Sequence, residues 1–148
     1  MRIILIFFML GISSSIAQQI DYNTKKGFVT NGYDVVAYFN NGALEGNKKF
    51  KTTFDNVDYK FVSQENLNVF NADPEKYVPQ YGGYCAYAIA VKGKKVSINP
   101  ETFEIRDGKL YLFYNAWGTN TLEMWLEEGV KGLQEKADKK WEELKHID

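Results

Sequence analysis

Cys85 is the only cysteine in this 148-residue chain. A disulfide needs two cysteines, so none can form within the chain, although small secreted domains usually depend on such bonds. The fold must therefore be held together by side-chain packing alone. Aromatic residues make up 16% of the chain, and each ring can bury a large apolar area. We expect a core rich in aromatic rings in place of a disulfide framework.

Residues 1–17 have the three-part pattern of a secretory signal peptide. Arg2 precedes an apolar run at residues 3–12, and small residues occupy positions 15 and 17. The apolar run is shorter than the roughly 20 residues that a membrane-spanning helix needs. We therefore predict cleavage after Ala17, export to the periplasm or secretion, and no stable membrane insertion after cleavage. An uncleaved membrane anchor is the alternative.

The rest of the chain has the length of one domain. Residues 18–30 are polar and are expected to form a flexible N-terminal arm, followed by a single domain at residues 31–148. Without Arg2 the chain keeps 17 of its 18 basic residues and all 19 acidic ones, a net charge of 17 − 19 = −2. Acidic and basic residues are interleaved, so no basic face for phosphates is expected and nucleic acid is not a predicted partner.

The pattern of apolar residues predicts an α+β fold, with a small antiparallel sheet of hairpins packed by several helices. Residues 34–39 are β-branched and aromatic, which indicates a strand, and residues 95–98 suggest another short one. Hairpins are predicted at residues 49–61 and at residues 104–114, the second around an Asp-Gly turn.

Helices are predicted at several places from residue 63 onward. Ser63 and Asp73 are expected to cap two short helices, the second with a proline in its first turn. Residues 84–91 could form a strand or a buried helix, and their alanines favour the helix. From residue 116 onward, two apolar stripes lie opposite lysine and glutamate, which predicts amphipathic C-terminal helices.

Several stretches of the chain have a pattern that is typical of one known family. The segments 59–63, 70–77 and 79–86, the last ending in Gly-Gly-Tyr-Cys-Ala, resemble the YHS domain family. Residues 32–39 and 108–114 resemble the exported bacterial branch of that family. The resemblance covers nearly all of the chain after the signal segment, and it implies a role in handling transition metals such as copper.

The usual metal ligands of the YHS family are not present at the matching positions. The metal-handling form of the family has three cysteines, which would fall at Ala37, Val62 and Asn66, and a histidine that would fall near Val62. None of these side chains is a ligand for a soft metal. The resemblance therefore implies a metal-related role without supplying the residues that would perform it.

Cys85 is the first candidate for a chemical role. It follows two glycines and is expected at the start of a helix, where the helix dipole stabilises a thiolate that could bind a soft metal or act as a nucleophile. In a redox alternative, Cys85 would be the catalytic residue and would cycle through sulfenic acid. The competing interpretation is a small buried side chain, because free cysteine is among the most buried residue types.

A transition-metal site needs further donors beside one thiol. Zinc and copper(I) sites use two to four nitrogen or sulfur ligands, and copper(I) is the first choice because a thiolate is soft. We take Cys85, Asp34 and His146 as the candidate metal ligands. Asp34 could instead hold a turn, His146 could be solvated near the end of the chain, and Met124 could supply a second sulfur or simply pack.

Three tyrosines near Cys85 are candidates for binding a cofactor or ligand. Tyr81, Tyr84 and Tyr87 could line a pocket, or they could lie at the core boundary with one end apolar and one end in water. The sequence has no phosphate-binding loop and no pair of histidines on a helix, which disfavours a hydrolase or a nucleotide enzyme. Three functions remain open: a metal-binding protein for copper or zinc, a redox protein with a partner protein, and a non-catalytic interaction module.

Overall fold

A computed structural model of the chain describes residues 17–147. The predicted signal peptide, residues 1–17, lies outside the described residues except for Ala17. Within residues 17–147 the chain forms small, mainly antiparallel sheets packed by helices, so the predicted α+β fold class is confirmed.

The first sheet has four strands in the spatial order β1, β2, β4, β3. Strands β3 and β4 form the antiparallel hairpin that the sequence predicts, and β2 pairs with β4 in parallel. The strands are β1 (Thr24–Lys25), β2 (Phe28–Val29), β3 (Asn47–Phe54) and β4 (Val57–Phe61).

Part of the segment 18–30, predicted as a flexible N-terminal arm, lies in this sheet. Strands β1 and β2 lie in this segment, and Phe28 and Val29 are buried. Further towards the N-terminus, the backbone N–H of Asp21 donates to the carbonyl of Lys145. Backbone hydrogen bonds attach the first half of the segment to the rest of the fold, so its polar side chains did not predict the attachment.

The strand predicted at residues 34–39 is not formed. These residues make tight turns that end in a short 3₁₀ helix at Ala37–Phe39. The Asp34 carboxylate accepts hydrogen bonds from the backbone N–H groups of Val36 and Ala37, at 2.8 Å and 3.1 Å, and so curls the chain back on itself. The apolar residues from Val35 to Tyr38 are buried, but in a turn and a 3₁₀ helix and not in a strand.

The second sheet is the hairpin of β5 (Asn99–Arg106) and β6 (Lys109–Phe113). Both residues of its Asp-Gly turn have positive φ, at 51° and 71°, as the sequence predicts. A smaller hairpin follows, formed by β7 (Asn115–Ala116) and β8 (Thr119–Asn120). The short strand predicted at residues 95–98 is not formed.

Helices occur in each region where the sequence predicts them, but the C-terminal helical part begins at Thr121 and not at residue 116, because residues 115–120 form the small hairpin. The alanine-rich segment is helical, and the C-terminal part of the chain forms two helices. Within residues 17–147, none of the helices combines the length and apolar character needed to cross a membrane. The α-helices are α1 (Gln64–Ala72), α2 (Pro74–Tyr77), α3 (Ala86–Lys92), α4 (Thr121–Glu128) and α5 (Val130–Leu144).

The two predicted helix caps have different outcomes. The Ser63 hydroxyl accepts a hydrogen bond from the Asn66 N–H at 3.1 Å, so Ser63 caps α1 as predicted. Asp73 precedes α2, but its side chain makes no capping hydrogen bond, and that prediction is wrong. Asp73 lies directly between α1 and α2, and its non-helical backbone (φ −155°, ψ 72°) forms the link between the two helices.

The core is rich in aromatic rings, as the absence of a disulfide requires. Phe70 of α1 contacts Tyr59 and Phe61 of β4, with ring centroids 4.7 Å and 5.1 Å apart. Trp125 of α4 contacts Phe113 of β6 at 5.5 Å. All five rings are buried, and each such pair contributes about 0.5–1.5 kcal/mol beyond its area burial.

Candidate functional site

A sharp bend before α3 positions Cys85 at the start of that helix. All three residues at positions 81–83 have positive φ, at 54°, 60° and 80°. A Cβ at Gly82 would lie 2.7 Å from the carbonyl oxygen of Asp21, so only glycine fits this position. The Cys85 carbonyl accepts a hydrogen bond from the Ile89 N–H at 3.1 Å, which begins α3 at the predicted place.

Cys85 lies in the wall of a cleft of about 350 Å³, which we call the sulfur cleft. The cleft lies between α3 and α4, and most of its lining is apolar. Cys85 itself is 0% exposed, so a ligand can reach its sulfur only when neighbouring side chains move. The lining includes Cys85, Tyr87, Val91, Tyr114, Thr121 and Met124.

The hydrogen bonds around Cys85 show which atom donates between its sulfur and Thr121. Its Sγ lies 3.3 Å from the Thr121 hydroxyl oxygen, and that hydroxyl donates its single hydrogen to the carbonyl of Tyr114 at 2.7 Å. The Cys85 S–H therefore donates to Thr121. The sulfur makes no capping hydrogen bond to α3, so the helix start does not stabilise a thiolate by this contact.

Tyr87 forms one side of the sulfur cleft and is fixed by Glu128 of α4. Its hydroxyl donates to the Glu128 carboxylate at 2.7 Å. This hydrogen bond, together with burial and the negative charge of Glu128, raises the pKa of Tyr87 to about 12. The Tyr87 phenol is therefore neutral near pH 7 and does not offer an anionic oxygen to the cleft.

The other two candidate tyrosines lie elsewhere, so the three do not share one pocket. The Tyr81 hydroxyl donates to Asp138 at 2.8 Å and faces a different cleft. Tyr84 packs beside Trp141 with ring centroids 6.3 Å apart, and burial and the charge of Asp21 raise its pKa to about 12. The positive-φ bend interrupts the helical spacing that would have put Tyr81 and Tyr84 on one face.

Asp34 is fully buried, and its carboxylate is already saturated with hydrogen bonds. One oxygen accepts from the two turn N–H groups described above, and the other accepts from the Val62 N–H at 2.9 Å and the Asn66 amide at 2.8 Å. These contacts attach the turn to the end of β4 and to α1. The structure therefore does not bring Asp34 to Cys85, and Asp34 holds a turn, the alternative considered from the sequence.

His146 also lies apart from the sulfur cleft. It forms an isolated backbone bridge with Ile20, and its carbonyl accepts a hydrogen bond from the Lys95 amine at 3.3 Å. The side chain is half-buried, and its Nδ1 is buried without a hydrogen-bond partner among residues 17–147. Across the same residues, no group of three or more His, Cys, Asp or Glu side chains is arranged to hold a metal ion.

The sequence did not point to Thr121 as part of the sulfur cleft, and it pointed to Met124 only weakly. Met124 lines the cleft together with Cys85, although its position in an amphipathic helix favoured packing over a role as a second sulfur donor. Thr121 gave no sign of contacting Cys85, because the two are far apart in the chain. One local signal was present: the Asn120 side chain accepts from the Leu122 N–H at 3.1 Å and caps α4, which fixes Thr121 as its first residue.

A larger cleft of about 700 Å³ contains Tyr81 and is acidic. It combines aromatic rings with four carboxylates and a single amine. Its lining contains no cysteine, methionine or histidine, so it offers oxygen ligands that suit hard cations better than copper(I). The charged residues are Asp55, Glu75, Asp138, Glu142 and Lys109.

No protein-family model matches the chain, and no curated protein or solved structure matches it. The resemblance to the YHS family therefore depends on the sequence motifs alone. Function has to be inferred from the geometry of the clefts.

Proposed function

We propose that this chain is an exported protein of the YHS type that binds or relays copper(I) in the sulfur cleft. The carrying observation is that Cys85 and Met124 both line this cleft. They are the only sulfur-containing residues after the predicted signal peptide. Thiolate and thioether sulfurs are the ligands that select copper(I) over harder ions.

The residues around the cleft support a two-sulfur site better than a zinc site. Zinc in proteins is usually held by four ligands, and at structural sites these are all protein nitrogen, sulfur or oxygen donors. The cleft offers one thiol and one thioether, the Tyr87 phenol is neutral, and Asp34 and His146 lie elsewhere. Copper(I) is therefore the better match to the donors.

Binding at this site requires two local changes. The Cys85 proton must leave to solvent, because a thiolate is the ligand form of cysteine. The Met124 side chain must turn towards the sulfur, which its three rotatable bonds allow. Since Cys85 is fully buried, we expect the rate of metal uptake to be limited by the movement of the side chains that cover its sulfur.

The experiment is an anaerobic titration of the chain after signal removal with copper(I), in competition with a coloured copper(I) chelator. We expect one copper(I) per chain in the wild type and at least a tenfold loss of affinity in both Cys85→Ser and Met124→Leu, because each removes one of two ligands. Met124→Leu keeps the volume of the side chain, so its packing is preserved.

His146→Asn is the matched control, since it removes the only imidazole without touching the cleft. Its affinity should equal that of the wild type. If Cys85→Ser binds copper(I) as tightly as the wild type, or if His146→Asn loses binding, the two-sulfur proposal is wrong.

The redox alternative makes a different prediction at the same sulfur. In that reaction the thiol would be oxidised to sulfenic acid while peroxide is reduced to water. The chain has no second cysteine to resolve the product, and the thiol hydrogen is donated to Thr121. Mass spectrometry after peroxide treatment separates the two functions: fast, stoichiometric oxidation of the native protein would favour the redox role.

An interaction module is the other candidate, and one observation favours it. Trp117 is 96% exposed at the turn between β7 and β8, with a φ of 53°. Positive φ is strained for a bulky residue, and tryptophan is enriched at protein interfaces. If the chain is an interaction module, Trp117→Ala would abolish association with a partner, whereas Cys85→Ser would not. Copper(I) affinity would be unchanged in Trp117→Ala.

A further inference from the structure

Lys60 lies at a third cleft of about 380 Å³, which shares no lining residue with the sulfur cleft and which we call the lysine cleft. Four lysines line it, together with a single carboxylate. The lining of the lysine cleft includes Lys25, Lys26, Lys48, Lys60, Phe28 and Glu45.

The fold fixes the Lys60 side chain in a defined position. It extends from β4 and is only 12% exposed, with its amine 5.3 Å from the centre of the Phe28 ring. A Cβ at Gly32 would lie 2.3 Å from the Cε of Lys60, and Gly32 has a φ of 85°. Gly32 thus leaves the space that the lysine stem occupies, so the amine is held in place before any ligand arrives.

The Lys60 amine is under-used by the protein. Its ion-pair partner is Glu45, at 3.5 Å, which is longer than the roughly 2.8 Å of a good charge-assisted hydrogen bond. Glu45 is 68% exposed, so solvent weakens the attraction. Lysines are rarely buried without a close partner. The amine forms no other ion pair among residues 17–147, so part of its hydrogen-bonding capacity is free for a ligand.

The charge of the lysine cleft opposes the charge of the whole chain. Lys25, Lys26 and Lys48 are exposed around Lys60, which gives four ammonium groups against one carboxylate in the lining. The full chain carries a formal net charge of −1. A cleft lined by one sign of charge concentrates ligands of the opposite sign.

We propose that the lysine cleft binds a small organic oxyanion, a carboxylate or a phosphate monoester. Lys60 would hold the anionic group, and the exposed lysines would attract it. The half-buried Tyr33 and Pro100, which also line the cleft, would contact the apolar part of the ligand. This site is separate from the sulfur cleft and does not depend on the copper(I) proposal.

The test is isothermal titration of the chain after signal removal with benzoate, phenyl phosphate and inorganic phosphate, in low salt. We expect benzoate or phenyl phosphate to bind more tightly than inorganic phosphate, and Lys60→Met to weaken binding about tenfold or more. Methionine keeps an apolar stem over Phe28. Lys109→Met, in the acidic cleft, changes the net charge equally and should leave binding unchanged.

The outcomes separate the proposal from simple charge attraction. Equal weakening by Lys60→Met and Lys109→Met would show only a general charge effect, and would overturn the site. Absence of binding by all three probes would also overturn it. Should Lys60→Met fail to fold, the double variant Lys25→Gln, Lys26→Gln tests the exposed part of the site, and a loss of affinity of severalfold is expected. Unchanged affinity in that variant would then count against the proposal.

Discussion

Asp34 and Cys85 are both fully buried polar residues, but their surroundings are opposite. The Asp34 carboxylate accepts four hydrogen bonds, from two N–H groups of its own turn and from β4 and α1. The Cys85 thiol has one hydrogen-bond neighbour, Thr121, and lies in the wall of a cleft. The Asp34 carboxylate joins its own turn to β4 and α1, whereas the Cys85 thiol makes only one hydrogen bond with the rest of the fold within residues 17–147.

The difference separates structural from chemical roles. A buried polar group with all its hydrogen bonds made contributes to stability, and removing it leaves several partners unsatisfied. A buried group with few partners beside a cleft costs little to remove and stays available to a ligand. We therefore expect substitutions at Asp34 to act on folding and substitutions at Cys85 to act on binding.

The largest expected effect is at Asp34. Asp34→Ala should lower the free energy of unfolding by at least about 3 kcal/mol, because three backbone N–H groups and the Asn66 amide lose their acceptor. Urea unfolding followed by tryptophan fluorescence measures this. Asp73→Ala is the control, since Asp73 is exposed and makes no capping bond, and it should stay within about 0.5 kcal/mol of the wild type.

A medium effect is expected at the sulfur cleft. Cys85→Ala should cost about 1 kcal/mol of stability through a small cavity, and Thr121→Val about 1–2 kcal/mol, because its hydroxyl makes hydrogen bonds to both Cys85 and the Tyr114 carbonyl. The double variant should show a coupling of about 0.5 kcal/mol, because the two side chains contact each other. A loss at Cys85 as large as that at Asp34→Ala would erase the contrast between the two regions.

The last effect is a pH dependence at the rim of the sulfur cleft, and it is confined to alkaline pH. The folded pKa of Tyr87, about 12, lies above its ordinary value of 10.0. Its contribution to stability is therefore complete below pH 10 and is lost as the pH rises from 10 through 12. The free energy of unfolding should fall less steeply over this range in Tyr87→Phe than in the wild type. Equal slopes would mean that the contact with Glu128 is absent in solution.

Local patterns in the sequence were sufficient for much of the fold. The Asp-Gly turn, the Ser63 cap and the alanine-rich helix after Gly82-Gly83 each depend on residues close together in the chain, and the structure has all three. The prediction of a strand at residues 34–39 was wrong because the Asp34 carboxylate accepts hydrogen bonds from N–H groups of its own turn. The pattern of apolar side chains does not reveal these hydrogen bonds.

The candidate site was predicted less well, because its contacts are long-range. Cys85 was correctly placed at a helix start, but its neighbour Thr121 and the second sulfur, Met124, come from another helix. Asp34 and His146 were grouped with Cys85 by their chemistry, and the fold sends them to different parts of the molecule. Lys60 was not noticed, because nothing in its sequence neighbourhood signals that its side chain is largely buried.

The sequence by itself determined the absence of a disulfide, the need for an aromatic core, the α+β class and the start of the helix at Cys85, because these follow from composition and from interactions within a few residues. Only the tertiary structure decided which polar groups are satisfied. Burial and hydrogen-bond partners depend on how distant segments meet, and this is what made Asp34 part of the framework and left Cys85 and Lys60 facing clefts.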